Sequence, residues 1–510
     1  GTPQGMTYLA SYIKAERAKN PNLLLLDAGD TFQGNAFAQY FRNATPNPIA
    51  GAMNLLDYNA FVIGNHEFNF GATTFATMLG QLDFPILGAN VEDDGTYGFI
   101  NANVENYITL DVDGVDVAIF GLTNPRVPRY ELPSNVVGLT FHPATETAAS
   151  LVPTILATED PDLLIGLTHI GYQPYGGELD SDELVAQEVA GIDVIIGGHS
   201  HTRLDNAVLV TSTINPQGTL VAQTKAYAQY LGKVNVGLVS DGNGGYDVVY
   251  REGHLLEAKD VDPDADLVAY LDPFVAELEA YTSTEIGQTT APIDALTAYT
   301  EETTGANLQT DAAVWRLTQN GIPVDFHLSG AMSNRKVADA ATAENPVTLT
   351  VGDMYTLMPY ENSLVVMEMN GPQIKTILER AYRNYWYYKY TEDYGGYSHY
   401  TTCMLDINAG GVITYDDRYP DLPDGNNVVS LVINGQEVDF TDADTYYNVS
   451  SVNYLVAGSC NFNDAGVTIW PLDQIVADTQ YYVRDSVIDY IMGMGTISPA
   501  IEGRLVFLTE

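Results

Sequence analysis

Tyr58-Asn59-Ala60-Phe61-Val62-Ile63-Gly64-Asn65-His66-Glu67-Phe68-Asn69 passes from an apolar run through glycine into side chains that bind metals. A short apolar run bounded by glycine reads as a buried strand, with a loop opening at its C-terminal end. Three further runs in the first half are built the same way: Leu24-Leu25-Leu26-Asp27-Ala28-Gly29-Asp30, Leu167-Thr168-His169, and Val194-Ile195-Ile196-Gly197-Gly198-His199-Ser200-His201. Strands of one sheet can deliver such loops to a common edge, which is expected to gather Asp30, Asn65, His169, His199 and His201. A lone histidine after a strand is more often a hydrogen-bonded loop residue than a ligand. Four of the chain's eight histidines, however, fall just after these runs with glycine beside them, and structural histidines have no reason to concentrate there. Carboxylate, amide and imidazole together suit first-row divalent ions, and a carboxylate can bridge two of them, the usual arrangement for hydrolysing phosphate esters. Phosphoester hydrolysis is therefore the leading expectation.

The 510 residues exceed what one core organises, and about two to four domains are expected. The 66 acidic against 21 basic residues give a formal charge of -45, which argues against a nucleic-acid polymer or an anionic membrane as partner. A small phosphorylated ligand can still be held by local cations. Few basic residues and 17% charged residues suit an extracytoplasmic protein, whether periplasmic, cell-wall-associated or secreted. Cys403 and Cys460 are too few for a disulfide framework or a cysteine-rich zinc site, and either pair or stay free. No run approaches the roughly 18 apolar residues of a membrane span, and no basic-then-apolar leader opens the chain. It begins at Gly1-Thr2-Pro3 on the approach to a helix from Gly5 to about Lys19, so the native N-terminus is expected upstream.

Residues 1–255 alternate strand-like and helix-like stretches, the pattern of an α/β sandwich. Further strands are expected at Pro85-Ile86-Leu87, Val115 to Phe120 and Leu220-Val221-Ala222. Residues 256–285 read as a charged, proline-bearing linker and a connecting helix from Leu267 to about Thr282. A second unit follows over 286–510, with a helix expected from Pro372 to Tyr382 and a strand at Leu364-Val365-Val366-Met367. Between Tyr382 and Tyr400 lie Tyr385, Trp386, Tyr387, Tyr388, Tyr390, Tyr394 and Tyr397, too many rings for all to face a core. Most are expected to pack on an insertion surface, and one or two to stack on a base.

The stretch Tyr58 to Asn69 resembles the signature of the 5′-nucleotidase family, which includes UDP-sugar hydrolases and 2′,3′-cyclic-nucleotide 2′-phosphodiesterase/3′-nucleotidases. The similarity extends through Asp27-Ala28-Gly29-Asp30, Thr168-His169-Ile170-Gly171 and Gly198-His199-Ser200-His201. In the second half it takes in Gly305 to Ala312, Ser329-Gly330-Ala331-Met332 and Met358-Pro359-Tyr360-Glu361-Asn362. The resemblance implies a four-layer αββα metallophosphatase sandwich joined by a helix to a C-terminal α/β nucleotide-binding domain. It implies two divalent ions, of Zn, Mn, Fe, Co or Ca, with Asp30 bridging them. Asn65, His169 and His199 would complete one shell and His201 would serve the other. His66 would not ligate; it would sit over the substrate phosphate and act as the catalytic histidine. His199 and His201, two apart, would diverge on a strand, so the segment after Gly197-Gly198 is expected to turn.

Three departures shape the expectation. The family's opening Asp-x-His is absent, which leaves the site of His201 incomplete in this chain. Asn69 stands where 5′-nucleotidases carry the Asp that pairs with the catalytic His, so His66 should be less readily protonated. Asn is the residue of the cyclic-phosphodiesterase branch, which favours 2′,3′-cyclic nucleotides and 3′-nucleotides over 5′-nucleotides or UDP-sugars. In the base pocket, Tyr454 is expected to stack with Tyr397 or Tyr400, although Ser459-Cys460 stand where relatives often have Gly and Asp; Arg335 is the candidate cation near phosphate or ribose. The contrasting expectation is a nucleotide-binding surface protein whose catalysis is impaired.

Overall fold

The structure, a computed structural model, describes residues 4–129, 131–174, 179–331, 333–390, 404–418 and 425–509. They fall into two compact units, one of residues 1–33 and 37–276, the other of 34–36 and 277–510.

The first unit holds two sheets. The smaller is wholly parallel, in the order Leu26–Asp27, Ala60–Val62, Ile86–Leu87, Val104–Glu105. The larger runs Val208–Val210, Thr219–Gln223, Val194–Gly197, Leu163–His169, Asp116–Thr123, Tyr107–Asp111, with four parallel strands inside and an antiparallel strand at each edge. Its four inner strands are largely apolar on both faces because both faces are covered. On Asp116–Thr123, Ala118, Phe120 and Leu122 pack with Ala148, Val152 and Ile155 of the helix Ala144–Thr158. The alternate residues Val117 and Ile119 meet Ala60, Val62 and Leu87 of the smaller sheet. Burying one Val, Leu or Ile side chain contributes about 1.5–3 kcal/mol, so this doubly covered strand anchors the unit. The sheets meet closely at Gly121, where an added Cβ would lie 2.3 Å from the Leu87 Cβ; any side chain there would force them apart. A further helical layer is built by Leu9, Ala10 and Ile13 of the helix Met6–Lys19 with Ala52, Leu56 and Leu267.

All four strand-end runs are thus strands, and the connecting helix is present as Ala265–Thr282. The runs foreseen at 85–87, 115–120 and 220–222 are the strands Ile86–Leu87, Asp116–Thr123 and Thr219–Gln223. Among the described residues no helix is long and apolar enough to cross a membrane.

In the second unit a five-stranded sheet runs Asp406–Ile407, Phe326–Ser329, Tyr446–Val452, Ser363–Asn370, Ile475–Tyr482. The helix expected to end at Tyr382 continues as Gly371–Tyr390, and its aromatic half is partly core. Tyr382 and Tyr385 are buried, and with Tyr390 each donates a 2.8 Å hydrogen bond to the Asp417 carboxylate. Three hydroxyls on one carboxylate explain how so many rings are accommodated: the apolar bodies pack while the polar tips find a buried acceptor. Met358 to Glu361 is pinned from below by the buried Arg484, which pairs with Glu361, donates to the Met358 carbonyl at 2.7 Å and lies 3.7 Å from the Tyr355 ring centroid. Cys460 is disulfide-bonded, and Cys403, the chain's other cysteine, lies outside the described residues.

Candidate metal centre

The loops after Leu26–Asp27, Ala60–Val62, Leu163–His169 and Val194–Gly197 converge. Ligand atoms of Asp30, His169 and His199 all lie within 4.8 Å of one another. His169 Nε2 is 2.9 Å from Asp30 Oδ2 and 3.2 Å from Asn65 Oδ1, and His199 Nδ1 is 2.8 Å from the same amide oxygen. The turn expected after Gly197-Gly198 is made by His199 and His201 themselves, at φ of 71° and 53°; Asp30 is also left-handed, at 60°. Such a backbone costs a non-glycine residue roughly 1–2 kcal/mol and clusters at functional sites.

Buried groups hold these loops in place. The Glu67 carboxylate accepts the backbone N–H groups of Asp30 at 2.9 Å, Thr31 at 2.8 Å, Phe32 at 3.2 Å and Gly64 at 2.8 Å, welding two strand-end loops together. A Cβ at Gly64 would lie 2.2 Å from Asp30 Oδ1, so glycine there lets the carboxylate approach. His169 Nδ1 donates to the Ala28 carbonyl, which fixes the ring and leaves Nε2 facing the cluster. His199 Nε2 lies 2.9 Å from the Asn124 amide nitrogen, while Asn124 Oδ1 accepts the Arg126 backbone N–H at 2.7 Å.

Burial works against charge on Asp30, yet His169 and His66 beside it hold its carboxyl well below the usual range. Burial likewise opposes an imidazolium at His169, but the Asp30 carboxylate pushes it up to about 9. His66 shows the same balance: burial lowers it, and Asp30, the Asn69 hydrogen bond, Glu131 and Glu67 raise it further. The side chain at 69 is an amide, but a carboxylate stands directly behind it. His66 Nδ1 is 2.8 Å from Asn69 Oδ1, and the Asn69 amide nitrogen donates to Glu131, which is 2% exposed. The expectation that Asn69 leaves His66 less readily protonated is thus corrected: the imidazole is raised, with Asp30 beside it and Glu131 behind Asn69 outweighing burial.

The structure therefore brings Asp30, Asn65, His169 and His199 together, with His66 tied to them through its backbone N–H to Asp30 Oδ1 at 2.8 Å. His201 is exposed and stands at the rim, its ring 5.9 Å from that of Tyr227. In the second unit Arg335 is exposed and Tyr454 is 45% exposed, whereas Tyr397 and Tyr400 lie outside the described residues. Glu67, Asn124, Glu131 and Asn135 were not foreseen. Asn124 carried a signal: the apolar run foreseen to stop at Phe120 continues to Thr123, making Asn124 one more polar residue at a strand end. Glu131 and Asn135 come from an aperiodic loop and a short 3₁₀ turn, where no local pattern marks them.

Residues 3–203 match the calcineurin-like phosphoesterase family and residues 285–465 the 5′-nucleotidase C-terminal domain. The chain is 30% identical over 540 residues to the trifunctional nucleotide phosphoesterase protein YfkN of Bacillus subtilis, covering 97% of this chain and 33% of that one. It therefore spans about a third of that protein's length. Over 539 residues it is 26% identical to the snake venom 5′-nucleotidase of Crotalus adamanteus, covering 99% and 83%. Its fold is similar to that of the 5′-nucleotidase precursor of Thermus thermophilus, with a TM-score of 0.65 and 25% identity over 100% of this chain and 95% of that one.

Proposed function

Because the chain belongs to the metallophosphoesterases that join a calcineurin-like phosphoesterase domain to a 5′-nucleotidase C-terminal domain, we propose that it hydrolyses nucleotide phosphoesters. The observation that carries this reading is the strand-end cluster of Asp30, Asn65, His169 and His199. Its donor set, two imidazoles, a carboxylate and a neutral amide oxygen, fits a first-row divalent ion, and the Ala28 carbonyl, bonded to His169 Nδ1, aims Nε2 inward. A divalent ion held there would acidify a water and polarise a phosphoryl oxygen. Asp30 would be shared with a second ion served by His201. Zn, Mn, Fe, Co and Ca all tolerate parts of this set.

The chain's own residues then divide the work. Glu67 holds the Asp30 loop rigid through its backbone bonds. His66, with Nδ1 engaged by Asn69, is left with Nε2 to meet the substrate phosphate and the leaving oxygen. Tyr454, with Tyr397 or Tyr400, would clamp the base, and Arg335 would hold phosphate or ribose oxygens. In domain terms, 1–255 is the catalytic domain, 256–285 the linker and 286–510 the nucleotide-binding domain. The disulfide at Cys460, the acidic composition and the similarity to a venom enzyme support a place outside the cytoplasm.

Asn69 favours 2′,3′-cyclic nucleotides and 3′-nucleotides as substrates; the alternative, a 5′-nucleotidase or UDP-sugar hydrolase, draws on the venom relative. Turnover of 2′,3′-cyclic AMP, 3′-AMP and 5′-AMP after chelation and readdition of Mn²⁺ or Zn²⁺ separates them. Metal-dependent activity on the first two is expected. Activity on 5′-AMP alone would move the chain to the alternative branch, and nucleotide binding without turnover would make it a binding protein.

A further inference from the structure

Glu131 is a buried carboxylate that touches no candidate metal ligand, yet both of its oxygens are engaged. Oε1 accepts from the Asn69 amide nitrogen, and Oε2 accepts from Asn135 Nδ2 at 2.9 Å. Asn135 Nδ2 also donates to the Asn69 backbone carbonyl at 3.0 Å, tying the carboxylate to the turn that carries Asn69. On its other side Asn69 presents Oδ1 to His66 Nδ1 at 2.8 Å.

An amide has a donor end and an acceptor end, and a carboxylate once ionised only accepts; burial pushes Glu131 up to about 7, so the constraint it places on Asn69 is complete above that pH. Turned over, Asn69 would set its oxygen against Glu131, two buried acceptors in contact, and its NH₂ against His66. Glu131 therefore forces Asn69 to present Nδ2 backward and Oδ1 forward. An acceptor facing His66 Nδ1 requires Nδ1 to carry the proton, which leaves Nε2 as the nitrogen available to substrate. An asparagine alone fixes nothing, because either end can face an imidazole.

Resting on the phosphoesterase reading for its catalytic consequence, the geometry points to Glu131 as a positioning residue that sets the tautomer and aim of His66 through Asn69. It does at one remove what a carboxylate at residue 69 would do directly, and it makes Asn69 and Glu131 an exchangeable pair of one amide and one acid.

The test uses the full chain as parent, Glu131→Gln, Asn69→Asp and the double variant. Each is assayed on 3′-AMP, whose leaving oxygen needs a proton, and on 4-nitrophenyl phosphate, whose leaving group does not. Glu131→Gln should lower kcat on 3′-AMP by about 10- to 100-fold with little change in KM, and lower turnover of the aryl ester far less. Asn69→Asp alone should also fall, because it sets two buried carboxylates against each other. The double variant should recover to within about threefold of the parent, since the carboxylate introduced at position 69 then accepts from both His66 and the amide introduced at position 131. Parental kcat in Glu131→Gln, or equal losses on both substrates without recovery in the double variant, would overturn the assignment. Nitrogen-15 NMR of His66 above its titration decides the point without turnover. The parent should show Nδ1 protonated and Glu131→Gln a mixture, whereas the same tautomer in both would overturn the proposal. If the parent hydrolyses neither ester, it is the phosphoesterase reading that falls, and the tautomer still answers for Glu131.

Discussion

His169 in the first unit and His327 in the second are both buried, at 2% and 0% exposure, and their surroundings drive them in opposite directions. His169 is the last residue of its strand, where the Asp30 carboxylate outweighs burial and pushes the imidazole up to about 9. His327 sits inside the strand Phe326–Ser329 between two hydroxyls, Ser450 Oγ at 3.0 Å from Nδ1 and Ser329 Oγ at 2.9 Å from Nε2. Burial alone acts on it and pushes it down to about 3. Two hydroxyls satisfy both ring nitrogens of a neutral imidazole and ask nothing further of it. A carboxylate, an amide oxygen and a second imidazole around one ring make a place for a cation. The difference lies in where along the strand the histidine stands and in what faces it.

The contrast breaks most sharply at the carboxylate. Asp30→Asn should cut divalent-ion affinity by more than about 100-fold, beyond the 10- to 100-fold typical of partners one shell further out, and calorimetric titration reads it. Unchanged affinity would mean that the strand-end histidines do not act as a cluster. At His327 the effect falls on stability. Its folded value lies below the unfolded one of about 6.5, so the stability tied to neutral His327 is present above pH 6.5 and lost as pH falls toward 3. Between pH 6.5 and 5 the parent should lose about 2 kcal/mol more than His327→Gln in denaturant unfolding, and parallel curves would show that His327 is not held neutral. Asn124→Ala frees one side of His199 and should weaken metal binding roughly tenfold without altering the pH dependence of stability. The smallest effect is expected at Tyr454, which is 45% exposed. Tyr454→Ala should raise KM for nucleotides about fivefold, the low end of a stacking contact, and spare an aryl phosphate. Equal losses on both substrates would remove Tyr454 from the base pocket.

The first unit was legible because its chemistry sits at the ends of strands buried on both faces. Continuous apolar runs announce such strands, but the expectation that one sheet delivers all the loops is corrected: Asp30 and Asn65 follow strands of the smaller sheet, and His169 and His199 follow strands of the larger one. Glu67 was visible in the same motif, but its four backbone bonds depend on two loops being adjacent, which one strand's sequence does not state. Glu131 and Asn135 lie 62 and 66 residues from Asn69 and are joined to it by tertiary packing alone. The aromatic stretch after Tyr382 was expected mainly at a surface because counting rings ignores their hydroxyls. Asp417, 35 residues beyond Tyr382, supplies the buried acceptor that lets Tyr382 and Tyr385 go inside.

The central claim is that the strand-end histidines, and not His327 within its strand, hold a divalent ion. Elemental analysis after equilibrium dialysis against Mn²⁺ or Zn²⁺, on the parent, Asp30→Asn and His327→Gln, tests it most directly. At least one ion per chain retained by the parent and by His327→Gln, and lost from Asp30→Asn, is the expected result. Equal metal content in the parent and Asp30→Asn would contradict it.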